Sequence, residues 1–491
     1  MPLLILSAED ATERARQARS RWPLTSESQA RRLTPLAQPD FSPSFAINKM
    51  DPIFTIGSCF ARNIEKQLLH EGYNVAISRF QTPTQLHSRA DPDTLLHRYT
   101  PHSIANELKW ALSADEPFPE PSYVDLGAAG WYDLQLHPLA SPGPLPLVKA
   151  RRSSITDYIA QAGTAKVFIM TLGLAEAWFD RETGCYLNAV PIDKARKLHP
   201  GRFEFHLLGY DEVLAGLEQI HSLLASHGEP DLKMLVTVSP VALSTTFTGG
   251  DAMSANAYMK SVLRAAAEAF VRGHEDVDYF PSYESVVLSD RRYAWRADQA
   301  HVSDEMVRLN VVRMIEAYAE DPPVGGGRQV AEAIVKAHEA RQAAAAGAVE
   351  DAIGAYRAAI AAAPDEGLIL LEFGRFLFEQ KQHAEAARLV EASIERGTGP
   401  YGGYLYLAQI QYAAGRYGLA RDAALKAQEL QPDRPGVIGM LERIAQKLDP
   451  ETAVLKAPAT VAVAPVLDRL KRVFRAGLAG LRASRSPGSH A

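Results

Sequence analysis

The stretch IFTIGSCFARNIEKQLL, Ile53 to Leu69, sets a short apolar run against a helical pattern, with a Gly-Ser-Cys corner between them. Ile64, Leu68 and Leu69 share one face of the helix read over Ala61 to His70. A strand passing directly into a helix is the unit from which parallel α/β sheets are built. The turn needs Gly57 for its backbone, but it does not need the hydroxyl of Ser58. Taken alone, the corner reads as a helix cap, with Ser58 accepting from a first-turn N–H. The same corner also exposes a side chain above a sheet and points free helix N–H groups at any oxyanion formed there.

The alternation continues downstream. KVFIMTL (Lys166 to Leu172) and MLVTVSP (Met234 to Pro240) are β-branched runs, and YDEVLAGLEQIHSLLASHG between them has helical periodicity. A further long helix is read over Asn256 to Gly273, and VDYFPSY precedes a loop. Strands spaced by helices of this length predict a parallel sheet covered on both faces over residues 51–322, preceded by a Pro- and Ser-rich arm at 1–50. Sites in such sheets lie at the carboxyl ends of strands, where Ser58, Gly173 and Ser239 stand.

EDPPVGGGRQ marks a linker at 323–330. Residues 331–448 are alanine-rich and repeat. Gly347, Ala352, Ala359 and Pro364 recur as Gly415, Ala420, Ala427 and Pro432, two periods of roughly 34 residues apart. Ala386 holds the register between them, while Lys381 and Thr398 replace the glycine and the proline. Glycine ends the first helix, alanines admit close helix packing and proline stops the second helix. These residues resemble tetratricopeptide repeats, which implies an all-α solenoid with a groove for a protein or peptide partner. The tail, 449–491, ends in a basic amphipathic helix, VLDRLKRVFRAGLAGLR. It reads either as a helix packed on the repeats or as a weak contact with a membrane surface.

Composition bounds the function. A net charge of −6 gives no general pull toward nucleic acid. Two cysteines, Cys59 and Cys185, are too few for a disulfide framework or an all-cysteine metal site, and they fit a reducing cytosol. The short N-terminal apolar run lacks a basic leader and is not read as a signal peptide, so the expected location is cytoplasmic. No nucleotide-binding glycine motif is present, no metal site is expected and no cofactor is implied.

A hydroxyl needs a base to become a nucleophile. With 14 histidines in the chain a single one means little, but Asp298 and His301 stand three apart in RADQAHVSDEM, just before a helix that Ser303 would cap. A carboxylate at that spacing can bond one ring nitrogen and leave the other for a serine hydroxyl. The order Ser58, Asp298, His301 fits an α/β hydrolase layout. Cys59 is the rival nucleophile and reads as packing beneath the turn.

GSCFA at 57–61 is the motif that names the GSCFA family. RWPLTSES, LTPLAQPDFSPSFAI, TLGLAEAWFDRETG, HPGRFEFH, TVSPVALSTTFTG and SANAYMKSVLRAAAEAF also resemble it, over roughly residues 20–320. That family is similar to the SGNH, or GDSL-like, hydrolases. The resemblance implies a three-layer α/β/α, flavodoxin-like domain with Ser58 as nucleophile, His301 as base and Asp298 as its orienting partner. SGNH enzymes place an asparagine in a Gly-x-Asn-Asp block as an oxyanion donor, whereas this chain reads Gly173-Leu174-Ala175-Glu176. The pocket candidates are then Gly57, the Ser58 and Gly173 N–H groups, Asn256 and Glu176. Glu176 is either a second pocket carboxylate or a surface residue beside Trp178. The implied activity is hydrolysis of acyl esters of a glycan, sugar or lipid. The alternatives are acyl transfer to a polysaccharide hydroxyl and a degenerate glycan-binding or interaction scaffold.

Overall fold

The computed structural model describes residues 2–23, 32–80, 92–320, 326–431 and 434–448. The chain divides into two compact units, residues 1–369 and 370–491.

The first unit opens with α1 (Ala8–Arg16), which buries none of its residues. Then come β1 (Ile53–Gly57), α2 (Cys59–His70), α3 (Pro101–Leu112), β2 (Tyr123–Asp125), β3 (Trp131–Asp133) and α4 (Leu145–Ala160). The middle holds β4 (Val167–Leu172), β5 (Glu176–Asp180), β6 (Cys185–Leu187), α5 (Asp193–Leu198), β7 (Phe203–Leu207) and α6 (Tyr210–His227). It continues with β8 (Lys233–Val238), α7 (Ala252–Gly273), β9 (Val277–Tyr279), α8 (Ser282–Leu288), α9 (Arg291–Ala294) and α10 (Asp304–Tyr318). The helix pair α11 (Gly327–Ala345) and α12 (Val349–Ala362) follows.

β1, β4, β8 and β9 form a parallel sheet in the order β1-β4-β8-β9. Alternate side chains of a strand point to opposite faces, and here both faces are apolar. Phe54, Ile56, Phe168, Met170, Met234 and Val236 pack with residues of α3, α4, α6 and α7. Ile53, Val167, Ile169 and Leu235 pack with residues of α2, α8 and α10. The result is a three-layer α/β/α sandwich. Parallel bridges from Ile53 to Val75 and from Gly57 to His97 lay further backbone beside β1. A separate antiparallel sheet, β6-β5-β7, is inserted after β4.

The arm before β1 is partly built into this unit. Leu36 and Ala37 are buried, the Ile47 N–H donates to Tyr318 O, and Phe41 meets Phe280 edge to face at 5.0 Å. VDYFPSY, expected to lead into a loop, instead holds β9 and the start of α8.

α13 (Gly367–Glu379) leads into the second unit, with α14 (His383–Glu395), α15 (Pro400–Ala413), α16 (Tyr417–Leu430) and α17 (Pro435–Leu448). The repeat positions behave alike. Gly347, Lys381 and Gly415 follow α11, α13 and α15 with φ of 76°, 61° and 74°, and Ala352, Ala386 and Ala420 are fully buried. A Cβ on Gly374 would lie 2.8 Å from Val390, so the glycine admits close contact between α13 and α14. Pro432 and the tail helix lie outside the described residues. Among the described residues no helix is long and apolar enough to cross a membrane.

Candidate functional site

β1 ends at Gly57, whose φ is +141°. A Cβ there would lie 2.3 Å from Thr171 Oγ1 and 2.4 Å from Thr171 O. The bare backbone therefore lets the end of β1 press on β4 and turn into α2. Ser58, next in line, is 4% exposed. Its Oγ accepts from the Phe60 N–H at 3.3 Å and stands 3.5 Å from Thr171 Oγ1. The cap reading of this serine is thus realised, and it does not exclude the other. The neighbouring strand end closes over it, since a Cβ on Gly173 would lie 3.5 Å from Ser58 Cβ.

The second part of the site comes from the loop before α10. Asp298 Oδ1 accepts from the Ala300 and His301 N–H groups at 3.0 Å each, and Oδ2 stands 2.7 Å from His301 Nδ1. The backbone N–H groups of His301 and Ala300, then the imidazole, hold the Asp298 carboxyl well below the usual carboxylate range. With Nδ1–H given to Asp298, Nε2 keeps its lone pair. The loop closes on itself where the Arg296 N–H donates to His301 O, and it meets the segment after β8 where the Ala242 N–H donates to Ala300 O.

The structure therefore unites Asp298 with His301 and places the loop at the carboxyl edge of the sheet, where Ser58 also lies. It leaves Ser58 Oγ and the imidazole without a mutual hydrogen bond. Ser58 Oγ is engaged with Thr171 and Phe60, and the dyad is about half exposed, 56% for His301 and 50% for Asp298.

The expected backbone oxyanion donors are committed elsewhere. The Ser58 N–H donates to Thr171 Oγ1 at 3.1 Å, and the Gly173 N–H donates to Tyr99 O at 3.1 Å. Asn256 accepts from the Leu243 N–H through Oδ1 and so supports the loop after β8. Glu176 is 6% exposed and has both oxygens engaged, by Thr246 Oγ1 at 2.5 Å and the Phe247 N–H at 3.0 Å. It is a buried clamp on that loop and holds Phe247 against Trp178, ring centres 5.1 Å apart.

The model of the GSCFA family matches residues 52–313 of the 491. The chain belongs to the GSCFA family. No curated protein matches it. Among solved structures it is similar to the first TPR of Spaghetti bound to an HSP90 peptide, with 19% identity over 24% of this chain and 94% of that one, TM-score 0.23. The Arabidopsis OM64 TPR domain matches with 14% identity over 24% of this chain and 98% of its own, TM-score 0.23. The Sgt2 TPR domain from Aspergillus fumigatus matches with 20% identity over 27% and 89%, TM-score 0.23.

Within the GSCFA domain the structure adds residues that the sequence reading passed over. Lys260, one helical turn beyond Asn256 on α7, is 1% exposed and donates from Nζ to Gly173 O at 2.9 Å. Desolvation brings its amine down to about 7. Among the described residues no carboxylate stands within ion-pair distance of it. Burial pushes the Cys59 thiol up, while the helix N–H groups, Lys260 and Arg296 pull it the other way. Beside Gly57, burial holds His97 down to about 3, so this imidazole is neutral at ordinary pH. Lys260 was legible only as a lone lysine among Met259, Leu263 and alanines, on the face of α7 that turns inward.

Away from this corner, the fold brings Asp276 to 3.0 Å from His221, and His274 meets Glu218 at 2.9 Å. One ligand atom each of His221, His274 and Asp276 lie within 4.8 Å of one another. Nitrogens about 2.0–2.1 Å from a shared zinc ion would hold the two rings roughly 5 Å apart. These ring centres lie 3.9 Å apart with the planes tilted by 33°, and the two imidazole–carboxylate contacts join α6 to the segment before β9. That is the amino end of the strands, opposite Ser58.

Proposed function

We propose that the GSCFA domain is a serine-hydrolase-like esterase acting on acyl esters of a sugar, glycan or lipid, acetyl esters among them. Ser58 is the nucleophile, His301 the base and Asp298 the group that orients it. One observation carries the reading: the Asp298–His301 pair is assembled at the carboxyl edge of the sheet, with Nδ1 engaged and Nε2 left for a hydroxyl. Ser58 Oγ bonds to the ester carbonyl carbon, its proton passes to Nε2, and the carbonyl π pair moves onto oxygen. Collapse of that oxyanion breaks the bond to the alcohol oxygen, which leaves with the proton from His301. Water, deprotonated by the same nitrogen, then releases the acid and restores Ser58. The half-exposed His301 loop has to close on Ser58 for the first step, and catalytic hydrogen bonds commonly tighten only with substrate bound. The helical repeats would hold a protein or peptide partner.

A binding-only domain has one observation in its favour, the commitment of the Ser58 and Gly173 N–H groups to acceptors within the protein. Labelling of the full chain with a fluorophosphonate probe at pH 7, followed by peptide mapping, separates the readings. The expected result is an adduct on Ser58 in the wild type, none in Ser58→Ala, and slow labelling in His301→Ala at unchanged Tm. Labelling that survives Ser58→Ala and disappears in Cys59→Ser moves the nucleophile to the thiol. A folded wild type that takes no label is a binding module.

A further inference from the structure

We propose that the buried ammonium of Lys260 supplies the positive charge that this site's oxyanion requires, in the place where SGNH enzymes use an asparagine amide. The inference rests on the hydrolase reading given above. An ammonium is costly to bury without a partner acid, because it gives up water for nothing that neutralises it. Lys260 has three donors, and one of them meets Gly173 O at 2.9 Å. Among the described residues no other acceptor lies within hydrogen-bond reach of Nζ. A chain that needed only packing at this position would have a methionine or leucine there.

The location supplies the reason for the charge. Gly173 lies against Ser58, and the charge of Lys260 is felt at Cys59, the next residue. One more positive source acts on the same corner, the N-terminus of α2, whose Phe60 N–H points at Ser58 Oγ, while Arg296, from the loop that carries His301, is paired with Asp304. The nearby carboxylates are turned to other work. Glu176 faces Thr246 and Phe247, and Asp298 faces its own loop N–H groups and His301. Of the titratable groups around Lys260, the Cys59 thiol on α2 is the one whose charge couples to it. Tyr99, whose carbonyl takes the Gly173 N–H, is held protonated by burial. Lys260 therefore brings positive charge to this corner with no carboxylate paired to it among the described residues. Negative charge appears there only when an ester carbonyl, or a phosphonyl oxygen, becomes tetrahedral on Ser58. Preorganised charge of this kind acts on the transition state more than on the ground state.

The amine titrates near neutrality, so its charge is present below about pH 7 in the free protein and lost as pH rises. The alkaline limb of the rate profile then belongs to Lys260.

The test compares fluorophosphonate labelling rates of the wild type, Lys260→Met and Lys260→Arg from pH 5.5 to 9.5, each with its Tm. Lys260→Met is expected to slow labelling of Ser58 at pH 7 by about 10²–10³-fold while Tm holds or rises, since an unpaired buried charge has been removed. Lys260→Arg, charged throughout this range, is expected to keep more of the rate and to lose the alkaline limb. A wild type that labels on Ser58 while Lys260→Met labels equally fast overturns the role of Lys260 alone. So does an alkaline limb that survives in Lys260→Arg, which decides the matter even if the methionine variant folds poorly. A folded wild type that does not label overturns the hydrolase reading, and this inference with it.

Discussion

Gly57 sits at φ +141° with Thr171 pressed against the place a side chain would take. Replacing it with alanine brings two penalties at once, a backbone region that L-residues avoid and an overlap with backbone atoms that cannot swing away. We expect Gly57→Ala to cost at least about 2 kcal/mol of unfolding free energy in urea titrations, and to abolish Ser58 labelling even where the fold survives. An alanine variant with wild-type stability would mean that β1 and β4 can part at this corner without loss. The residues of the corner and the dyad were legible because their chemistry is local: Gly-Ser at a strand end, and Asp-x-x-His before a capped helix. The commitment of the Ser58 and Gly173 N–H groups was not legible, because Thr171 and Tyr99 reach them only when segments distant in sequence are brought side by side. Lys260 was hidden for a related reason. A lone lysine in an alanine-rich helix reads as a solvated position until the packing of α7 on β8 shows which way it faces.

At the scale of elements, the strands of the parallel sheet announce themselves as apolar runs because both faces are buried. β7 does not, since it is half-exposed along its length and its Phe-Glu-Phe-His alternation serves a small antiparallel sheet that joins the main core through Ala177 and Leu187 of its neighbours. A buried ion network beside that region was equally silent. Arg98 and Arg152 both bond Glu107, and Arg152 also bonds Asp133, tying α3 to α4 and β3. Burial alone would raise the Glu107 carboxyl, but Arg152 and Arg98 together hold it below the usual range. Two guanidinium groups with one shared acid removed are left with buried, poorly compensated charge. Glu107→Gln should therefore cost about 3–5 kcal/mol, read as a lowered urea midpoint at unchanged m-value. A loss below about 1 kcal/mol would show that water replaces the acid and that the network is wetter than its burial implies. Elements further along repeat the lesson in reverse. Lys381 departs from the glycine pattern, yet it takes the same left-handed turn as Gly347 and Gly415, because the close packing of α13 and α14 fixes the turn whatever residue occupies it.

For the whole molecule, the Pro- and Gly-rich stretch near 321–328 is where composition breaks, but apolar burial does not stop there. The first compact unit runs to residue 369. Val330, Ala331 and Ile334 of α11 join the core that contains Met314, Ile315 and Tyr318 of α10. Arg308 of α10 bonds Glu71 after α2 and Glu366 after α12, and Arg341 of α11 pairs with Glu305 at the start of α10. Composition reports where a chain is free to bend, whereas the limits of a folding unit are set by where apolar surface is covered, and the two need not coincide. A chain ending at residue 320 would uncover this side of α10, the helix that follows the His301 loop. A chain ending at residue 369 would keep it covered. Losing two to three buried aliphatic side chains should cost the shorter chain roughly 3–6 kcal/mol, with a lower Tm, binding of a hydrophobic dye and a weakened Ser58 labelling rate. The longer chain should unfold in one cooperative transition and label like the full-length protein. If the two truncated chains proved equally stable and equally reactive, α11 and α12 would be passengers on α10, and the support of the dyad would have to come from the sheet alone.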